Sequence, residues 1–224
     1  MSKVATYLRG HVTGEVATRD DVREAYSFDN GVLAIKPEMV IYPRTTNDIR
    51  KITRFSWQLA EKGHVLAVTA RGSGTSALGG ALSKGAVLDL STHMHRIFEY
   101  DAKQKLVRLQ PGVTIAALTE ALGLQGTMVM PLLGIASSST VGGAIASGTN
   151  GRFASKYGTI TDAIDQLEVV LANGDVLQTG RVSRKEVSAR KGWQSFEGDI
   201  YRGVDAVLEE YADVIAELDP QDTT

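Results

Sequence analysis

Two glycine-rich windows constrain the fold of this chain more than any other feature of its sequence. Eleven of its 23 glycines fall within residues 72–85 and 134–158. Glycine allows positive φ angles and lets the backbone approach another group closely. A chain with two such windows is expected to wrap its backbone around a ligand.

The first window, residues 72–85, has two interpretations, and one is a dinucleotide-binding fingerprint. Residues 72–77 read Gly-Ser-Gly-Thr-Ser-Ala and fit the pattern G-x-G-x-x-A, and Asp89 ends the next predicted strand. A Rossmann fold needs a helix that starts at this loop and offers its N-terminus to the pyrophosphate. Gly79-Gly80 interrupts the available stretch at a cost of about 1 kcal/mol per glycine relative to alanine. The fingerprint is therefore the less favoured interpretation.

A nest is the better interpretation of the first window. In a nest, consecutive backbone N–H groups point inward around an anion, and here these are the groups from Arg71 to Ala77. The hydroxyls of Ser73, Thr75 and Ser76 add further donors. We predict a diphosphate held by the backbone rather than by a lysine. A tight turn without a ligand is the alternative for this loop taken alone.

The second window combines hydroxyl side chains with small residues. The stretch from Pro131 to Ala146 contains Ser137-Ser138-Ser139-Thr140 followed by Gly142-Gly143. Thr140 can cap a turn whose free N–H groups face a phosphate or a ring carbonyl, and the glycine pair lets a flat ligand approach. About thirty residues without clear secondary structure inside a compact domain usually serve a function. The segment is too apolar for a flexible surface loop.

Hydrophobic spacing predicts a small parallel α/β unit in the first part of the chain, after a lead-in at residues 1–36. The order is strand, helix, strand, loop, strand. The elements are a charged helix at Glu15–Tyr26 in the lead-in, a strand at 37–43, a helix from Thr45 or Thr46 to Gly63 with an apolar stripe of Ile49, Ile52, Phe55 and Leu59, and strands at 65–68 and 86–90.

The second half of the chain has antiparallel character. Asn173-Gly174 is typical of a tight hairpin turn between two apolar strands. Residues 181–199 are polar and are interpreted as a solvated loop. The other predicted elements are strands at 96–100, 106–110, 164–171 and 176–178, a helix at 114–122 and a last helix from Asp199. We predict an α+β fold: a small parallel α/β unit plus a mixed or antiparallel sheet with helices.

Composition excludes several classes of protein. With 24 basic and 26 acidic residues, the chain lacks the positive field of a general nucleic-acid binder. It has no cysteine, which excludes disulfides, zinc ribbons, iron–sulfur clusters and a cysteine nucleophile. His93 and His95 have no third ligand nearby, so we expect no metal site. No run approaches about 20 apolar residues and no signal peptide is visible. We expect a cytoplasmic protein, at most peripheral to the inner face of the membrane.

Seven short motifs follow one another between about Pro37 and Gly180. They are Pro37-x-x-Val40-x-x-Pro43, Arg71-Gly72-x-Gly74-Thr75-Ser76 with Gly79-Gly80, Asp89-Leu90-Ser91-x-x-Met94, Pro111-Gly112-Val113, Thr140-Val141-Gly142-Gly143, Lys156-Tyr157-Gly158, and Glu168-Val169-Val170-Leu171-Ala172-Asn173-Gly174. Each is weak by itself, but in this order they resemble the FAD-binding domain of the p-cresol methylhydroxylase and vanillyl-alcohol oxidase superfamily. Within it, the chain is most similar to the glycolate oxidase and D-lactate dehydrogenase group of FAD-linked oxidases.

The resemblance implies FAD held between two subdomains of a domain at 37–218, one at about 37–95 and the other at about 96–218. It places the pyrophosphate at the first window, the flavin and ribityl chain at the second, and the adenine against the backbone of β-strand residues 169 and 170. It implies no metal and assigns no catalytic residue. The implied cofactor-binding residues are Arg71, Gly72, Ser73, Gly74, Thr75, Ser76, Ala77, Pro131, Ser137, Ser139, Thr140, Gly142, Gly143, Ala146, Gly151, Val169 and Val170.

Three departures from the family pattern qualify what the resemblance implies. Thr75 stands where some relatives attach FAD to a histidine, so we expect non-covalent FAD. Ser147-Gly148 stands where close relatives carry an asparagine. The cap domain that binds substrate and holds catalytic histidines in relatives has no counterpart in these 224 residues.

The resemblance implies a flavin-dependent oxidoreductase that removes a hydride from a small 2-hydroxy acid of the D-lactate or glycolate type. One alternative is an FAD-carrying subunit whose partner supplies the cap. A second is an NADPH-dependent flavoprotein similar to the enolpyruvyl-sugar reductase of peptidoglycan precursor synthesis. A third is a binding module without enzymatic activity.

Overall fold

A computed structural model describes residues 3–217. The chain divides into a larger unit up to Gln178 and a smaller unit from Thr179 onward; residue 218, the expected end of the FAD-binding domain, lies outside the described residues. The helices are α1 (Lys3–His11), α2 (Asp20–Ala25), α3 (Thr46–Glu61), α4 (Ile115–Gly123), α5 (Val141–Ala146), α6 (Ala154–Tyr157), α7 (Arg184–Lys191), α8 (Phe196–Glu210) and α9 (Ala212–Glu217). The strands are β1 (Glu15–Ala17), β2 (Met39–Tyr42), β3 (Val68–Arg71), β4 (Ala86–Asp89), β5 (Ile97–Asp101), β6 (Leu106–Leu109), β7 (Leu167–Val170) and β8 (Val176–Thr179).

A four-stranded sheet in the order β1-β2-β4-β3 forms the first layer of the larger unit. β4 is parallel to both β2 and β3, with Val87 opposite Val40 and Thr69. Because both faces of the two central strands are covered, β2 and β4 read as almost continuous apolar runs. The predicted parallel unit is confirmed, although β3 starts three residues later than predicted and leaves Val65 exposed.

Helix α3 packs on this sheet as its sequence predicts. The Thr45 side chain accepts a hydrogen bond from the Asp48 N–H, which satisfies a donor of the first turn. Ile52 is fully buried, and the other members of the predicted stripe pack against the same core as β2 and β4.

The lead-in differs from the prediction. Instead of a helix at 15–26, Glu15–Ala17 forms β1, antiparallel to β2, and only Asp20–Ala25 is helical. Val16 is buried in the core beneath the sheet. Charge periodicity alone does not reveal that β2 has a free edge to which these residues can add.

The second core of the larger unit lies between α4, α5 and the segments around them. Thr114 caps α4 by accepting the Ala117 N–H, as predicted, and the two-stranded sheets β5-β6 and β7-β8 correspond to the predicted strand pairs. The second window is more regular than expected, because it contains α5 and α6 and is preceded by the 3₁₀ turn Met130–Leu132. Leu132 of that turn and Val141 of α5 are buried in this core.

In the smaller unit, the predicted solvated loop at 181–199 is wrong, because it contains α7. Ser183 and Glu186 form a reciprocal capping box at its start. Arg190 pairs with Glu197 and donates to the Tyr201 hydroxyl at 2.7 Å, which fixes α7 to α8. Helix α8 begins at Phe196, ahead of Asp199, because Ser195 caps it.

Of the helices within residues 3–217, none combines the length and the apolar character that crossing a membrane requires.

Candidate functional site

The first window carries a run of backbone donors without partners. Among the described residues, none of the N–H groups from Gly72 to Ala77 donates a hydrogen bond. Gly74 has a φ of +68°, a conformation that side chains disfavour. The loop is partly exposed. Because backbone N–H groups need an acceptor, water or an anionic ligand must satisfy this run, as a nest would require.

Charge in this loop favours an anion. Arg71 is the only charged residue between residues 71 and 83. Its guanidinium lies 5.1 Å from the centre of the Tyr26 ring and donates to the Tyr26 carbonyl oxygen at 3.3 Å. It also lies against the backbone of Gly74, where a Cβ would overlap it. Arg71 therefore contributes positive charge and also supports the turn at Gly74.

Asp89 cannot act as the ribose-binding acid of a dinucleotide fingerprint. Its carboxylate accepts hydrogen bonds from the Tyr26 hydroxyl, the Thr92 N–H, and both the N–H and hydroxyl of Ser91, and it is only 4% exposed. Burial, and then the hydrogen bond to Asp89, raise the pKa of Tyr26. Residues 76–84, where a dinucleotide-binding fold would begin its helix, form no helix. The structure thus excludes the Rossmann interpretation.

Side chains and backbone join the two windows. Gly72 packs against Thr140 with no room for a Cβ. The Ser73 hydroxyl donates to the Ser138 carbonyl oxygen at 2.5 Å, and the hydroxyls of Thr75 and Ser139 lie 2.9 Å apart. Residues 72–75 of the first window are therefore in direct contact with residues 138–140 of the second.

The N–H groups at the start of α5 are not free, contrary to the prediction. Val141 donates to the Val113 carbonyl oxygen at 2.8 Å, and Gly142 to that of Pro111 at 2.9 Å. Gly143 donates to Thr140 Oγ1 at 3.2 Å. Several other N–H groups of the second window donate no hydrogen bond within residues 3–217, and the consecutive ones among them are those of Ala136, Ser137 and Ser138.

Other predicted residues of the second window have separate positions. Pro131 is buried, and its carbonyl oxygen accepts the Gly151 N–H at 3.1 Å. A Cβ on Gly151 would lie 2.5 Å from that oxygen, so glycine is required there for close packing. Ala146 is exposed at the end of α5. Ser147 turns its hydroxyl to the Gly143 carbonyl oxygen at 2.8 Å.

The second window also forms one wall of an open groove of about 380 Å³, and α4 forms the other wall. The groove is mainly apolar. Its apolar lining includes Ile115, Ala116, Leu132, Leu133 and Ile135, and its polar lining residues are Thr119, Glu120 and Ser137. A groove of this type suits an apolar or flat group beside the hydroxyl-rich loop.

Within the described residues, no hydrogen bond links Val169 or Val170 to either window. Both are half-buried in β7. The β7-β8 hairpin is bound to α3, since Arg50 Nε donates to the Gly174 carbonyl oxygen at 3.1 Å and Thr46 donates to Glu168 at 3.1 Å. Their contact with an adenine stays a prediction.

Sequence reasoning missed a contribution from the lead-in. The Asn30 N–H donates to the Ser76 carbonyl oxygen at 3.1 Å, and Asp29 Oδ2 accepts the Gly79 N–H at 2.8 Å. The available signal was the run Asp29-Asn30-Gly31, which is typical of a turn. It indicates the turn but not its partner.

His93 and His95 each have a hydrogen-bond partner. His93 Nε2 lies 2.8 Å from Glu15 Oε2, and His95 Nδ1 lies 3.0 Å from the Ser91 carbonyl oxygen. Within residues 3–217, no group of three histidine, aspartate or glutamate side chains is arranged to hold a metal ion.

Comparison with known proteins agrees with this geometry. A family model described as FAD binding domain matches residues 37–180. The chain is 35% identical over 167 residues to D-2-hydroxyglutarate dehydrogenase of Escherichia coli (strain K12), a match that covers 75% of this chain and 16% of that protein. It is 34% identical over 168 residues to glycolate oxidase subunit GlcD of Bacillus subtilis (strain 168), covering 74% of this chain and 35% of that protein.

A solved structure of 6-hydroxy-D-nicotine oxidase from Arthrobacter nicotinovorans is similar with a TM-score of 0.66 and 26% identity. The match covers 79% of this chain and 38% of that one. The chain thus spans well under half the length of each of these three proteins.

Proposed function

This chain belongs to the FAD-binding domain family, and we propose that it binds FAD non-covalently as the cofactor module of an oxidoreductase. The observation that carries the proposal is the run of unpartnered N–H groups from Gly72 to Ala77, joined to the second window by Ser73 and Thr75. A diphosphate has the charge and the acceptor oxygens that such a run requires.

Each window has its own role in this proposal. The N–H groups of the first window bind the diphosphate, and Arg71 adds positive charge. Ser137 and the unpartnered N–H groups beside it offer donors to the flavin and ribityl part. Thr75 hydrogen bonds to Ser139 and is not a residue that forms a histidyl–flavin link, which supports non-covalent binding. When bound, FAD supplies a hydride acceptor.

The proposed reaction of the whole protein is oxidation of a small 2-hydroxy acid. This is supported by two relatives named for D-2-hydroxyglutarate and glycolate. Because the chain spans 16% and 35% of their lengths, we propose that a cap outside these 224 residues binds the acid. The glycolate relative is named as a subunit, so a partner chain could supply that cap. The proposal also includes two subdomains, at about 37–95 and 96–218. It further includes a cytoplasmic location, at most peripheral to the membrane.

The test is a visible absorption spectrum of the purified chain after incubation with FAD and removal of free cofactor. The spectrum is repeated on the supernatant after acid precipitation. Flavin bands that move into the supernatant support non-covalent FAD, whereas bands that stay in the pellet contradict that part of the proposal. A colourless protein contradicts FAD binding by this chain.

A second measurement separates the candidate reactions. Anaerobic D-2-hydroxyglutarate, glycolate, D-lactate and NADPH are each mixed with the flavin-loaded full-length protein that contains this chain. Bleaching by a 2-hydroxy acid supports the proposed reaction. Bleaching by NADPH alone would favour the reductase instead.

A further inference from the structure

A loop that precedes the family match holds the first window from the side. In residues 27–35, which we call the brace, Phe28 and Ala34 face each other in an isolated antiparallel bridge. The Ile35 N–H donates to the Ser27 carbonyl oxygen at 2.8 Å and closes the loop. The brace lies outside residues 37–180, to which the family model assigns FAD binding.

The tip of the brace contacts the first window just after its run of free donors, at residues 76–79. The Asn30 N–H donates to the Ser76 carbonyl oxygen at 3.1 Å. The Gly79 N–H donates to Asp29 Oδ2 at 2.8 Å. Gly31 lies so close to Ala77 that a Cβ would be 2.5 Å from the Ala77 carbonyl oxygen.

The side chain of Asp29 connects the two loops by hydrogen bonds. Its Oδ1 accepts the Gly31 N–H at 2.7 Å within the brace, while Oδ2 accepts the Gly79 N–H of the first window. Gly79 itself has a φ of +73°. The carboxylate therefore fixes both a turn of the brace and a left-handed turn of the first window.

These contacts leave the ligand-facing donors of the first window free. The brace bonds to the Ser76 carbonyl oxygen and to the Gly79 N–H, but to none of the N–H groups from Gly72 to Ala77. At the other end of the loop, Arg71 is held by Tyr26, just before the brace. The loop is thus anchored at both ends while its donors stay available, and such preorganisation reduces the entropy lost on binding.

We propose that Asp29 is a positioning residue for the cofactor diphosphate, acting through Gly79 on the conformation of the first window. The inference rests on the proposed function. Asp29 does not contact the cofactor in this proposal. Its effect appears as a change in the affinity of the loop for a diphosphate.

The test compares FAD affinity of the 224-residue chain and three variants by titration of flavin fluorescence. Asp29→Ala removes both acceptors, and Asp29→Asn keeps one carbonyl oxygen. Asp101→Asn is the matched control, because Asp101 also accepts two backbone N–H groups in a turn, those of Lys103 and Gln104. We expect the Kd for FAD to rise about tenfold in Asp29→Ala and less in Asp29→Asn, and to stay within twofold in the control.

Two further readouts separate positioning from general loss of structure. FAD is held at the same multiple of each protein's own Kd, and inorganic pyrophosphate is added as a competitor. About tenfold more pyrophosphate should then be needed to displace half of the FAD from Asp29→Ala than from the wild-type protein. Amide exchange at Gly79 should speed up in this variant while the cooperative unfolding midpoint stays near that of Asp101→Asn. If Asp29→Ala does not fold, the same measurements are made on Asp29→Asn and compared with Asp101→Asn.

The outcomes distinguish this inference from the proposed function. Wild-type protein that fails to bind FAD contradicts both. Wild-type protein that binds FAD, with Asp29 variants of equal or tighter affinity, overturns only the role of Asp29. Tighter binding by Asp29→Asn would show that the carboxylate acts by repelling the diphosphate.

Discussion

Gly72 lies directly against the side chain of Thr140, and a Cβ at Gly72 would overlap Thr140 Oγ1. The same Oγ1 accepts the Gly143 N–H and caps α5. One hydroxyl group therefore caps the start of α5 and also sets the distance between the two glycine-rich windows. Substitutions at these two residues should affect the windows together.

We expect Gly72→Ala to lower both stability and FAD affinity. The added methyl group must push Thr140 or the loop aside, which costs about 1–3 kcal/mol in the free energy of unfolding. The Kd for FAD should rise at least about tenfold. Urea unfolding and flavin titration measure the two effects.

Gly123→Ala is the control for this substitution, since no atom lies within 4 Å of a Cβ there. It should leave FAD affinity unchanged. Equal affinities for Gly72→Ala and Gly123→Ala would contradict the close approach of the windows.

Thr140→Ala should weaken FAD binding more than the removal of a helix cap far from the windows does. It removes the cap of α5 at a cost of about 1 kcal/mol and opens space beside Gly72. Thr140→Ser keeps the hydroxyl and should restore most of the affinity. Flavin fluorescence titration at equal protein concentrations measures the effect.

Thr45→Ala provides the matched comparison, because Thr45 caps α3 by accepting the Asp48 N–H. It should lower stability by a similar amount without changing FAD affinity. If both caps change the affinity equally, the effect of Thr140 is one of general stability.

Asp48→Asn should destabilise the larger unit by about 1–3 kcal/mol. Asp48 is fully buried, and its two oxygens accept the N–H groups of Thr13, Gly14 and Arg44. In asparagine an NH₂ group replaces one of these oxygens. Its N–H would face a backbone N–H, and at least one hydrogen bond would be lost. Urea unfolding checks the expected loss, and the exposed variant Asp101→Asn should lose much less.

The contribution of Glu15 to the free energy of unfolding should be fully present at neutral pH and lost in acid. A hydrogen bond from Arg44, aided by His93, lowers the pKa of Glu15 from its ordinary value of 4.5. A lowered folded-state pKa contributes stability that is present above 4.5 and disappears as the pH falls through the folded-state pKa. Because both partners are about half exposed, the contribution should be less than about 1 kcal/mol.

The measurement is the free energy of unfolding of wild-type protein and Glu15→Gln between neutral and acidic pH. The difference should be largest at neutral pH and vanish in acid. Glu38→Gln, which removes an exposed carboxylate, is the control. A difference that grows as the pH falls would mean that folding raises the pKa of Glu15 instead of lowering it.

Local pattern predicted much of this fold. The cap at Thr45, the stripe through Ile52 and the turn at Asn173-Gly174 depend on neighbours within a few residues, and such spacing predicted α3, α4 and both hairpins. Seven motifs in order indicated the family, and the match to residues 37–180 confirms that resemblance and the α+β class.

Two features of the structure depend on contacts between distant segments, which local sequence patterns do not show. β1 forms because β2 offers a free edge, and Asp89 is buried because Tyr26 reaches it from a distant segment. For α7, the capping box of Ser183 and Glu186 was present in the sequence, but the polar composition outweighed it.

The sequence by itself determined the family, the parallel and antiparallel halves, and the two windows, because glycine placement and apolar spacing act locally. Only the tertiary structure decided which N–H groups keep no partner. The N–H groups of Val141 and Gly142 in α5 donate to Val113 and Pro111, whereas those from Gly72 to Ala77 have no partner among residues 3–217. It also decided that Asp29 holds Gly79, fifty residues away, because a hydrogen bond depends on distance in space and not along the chain.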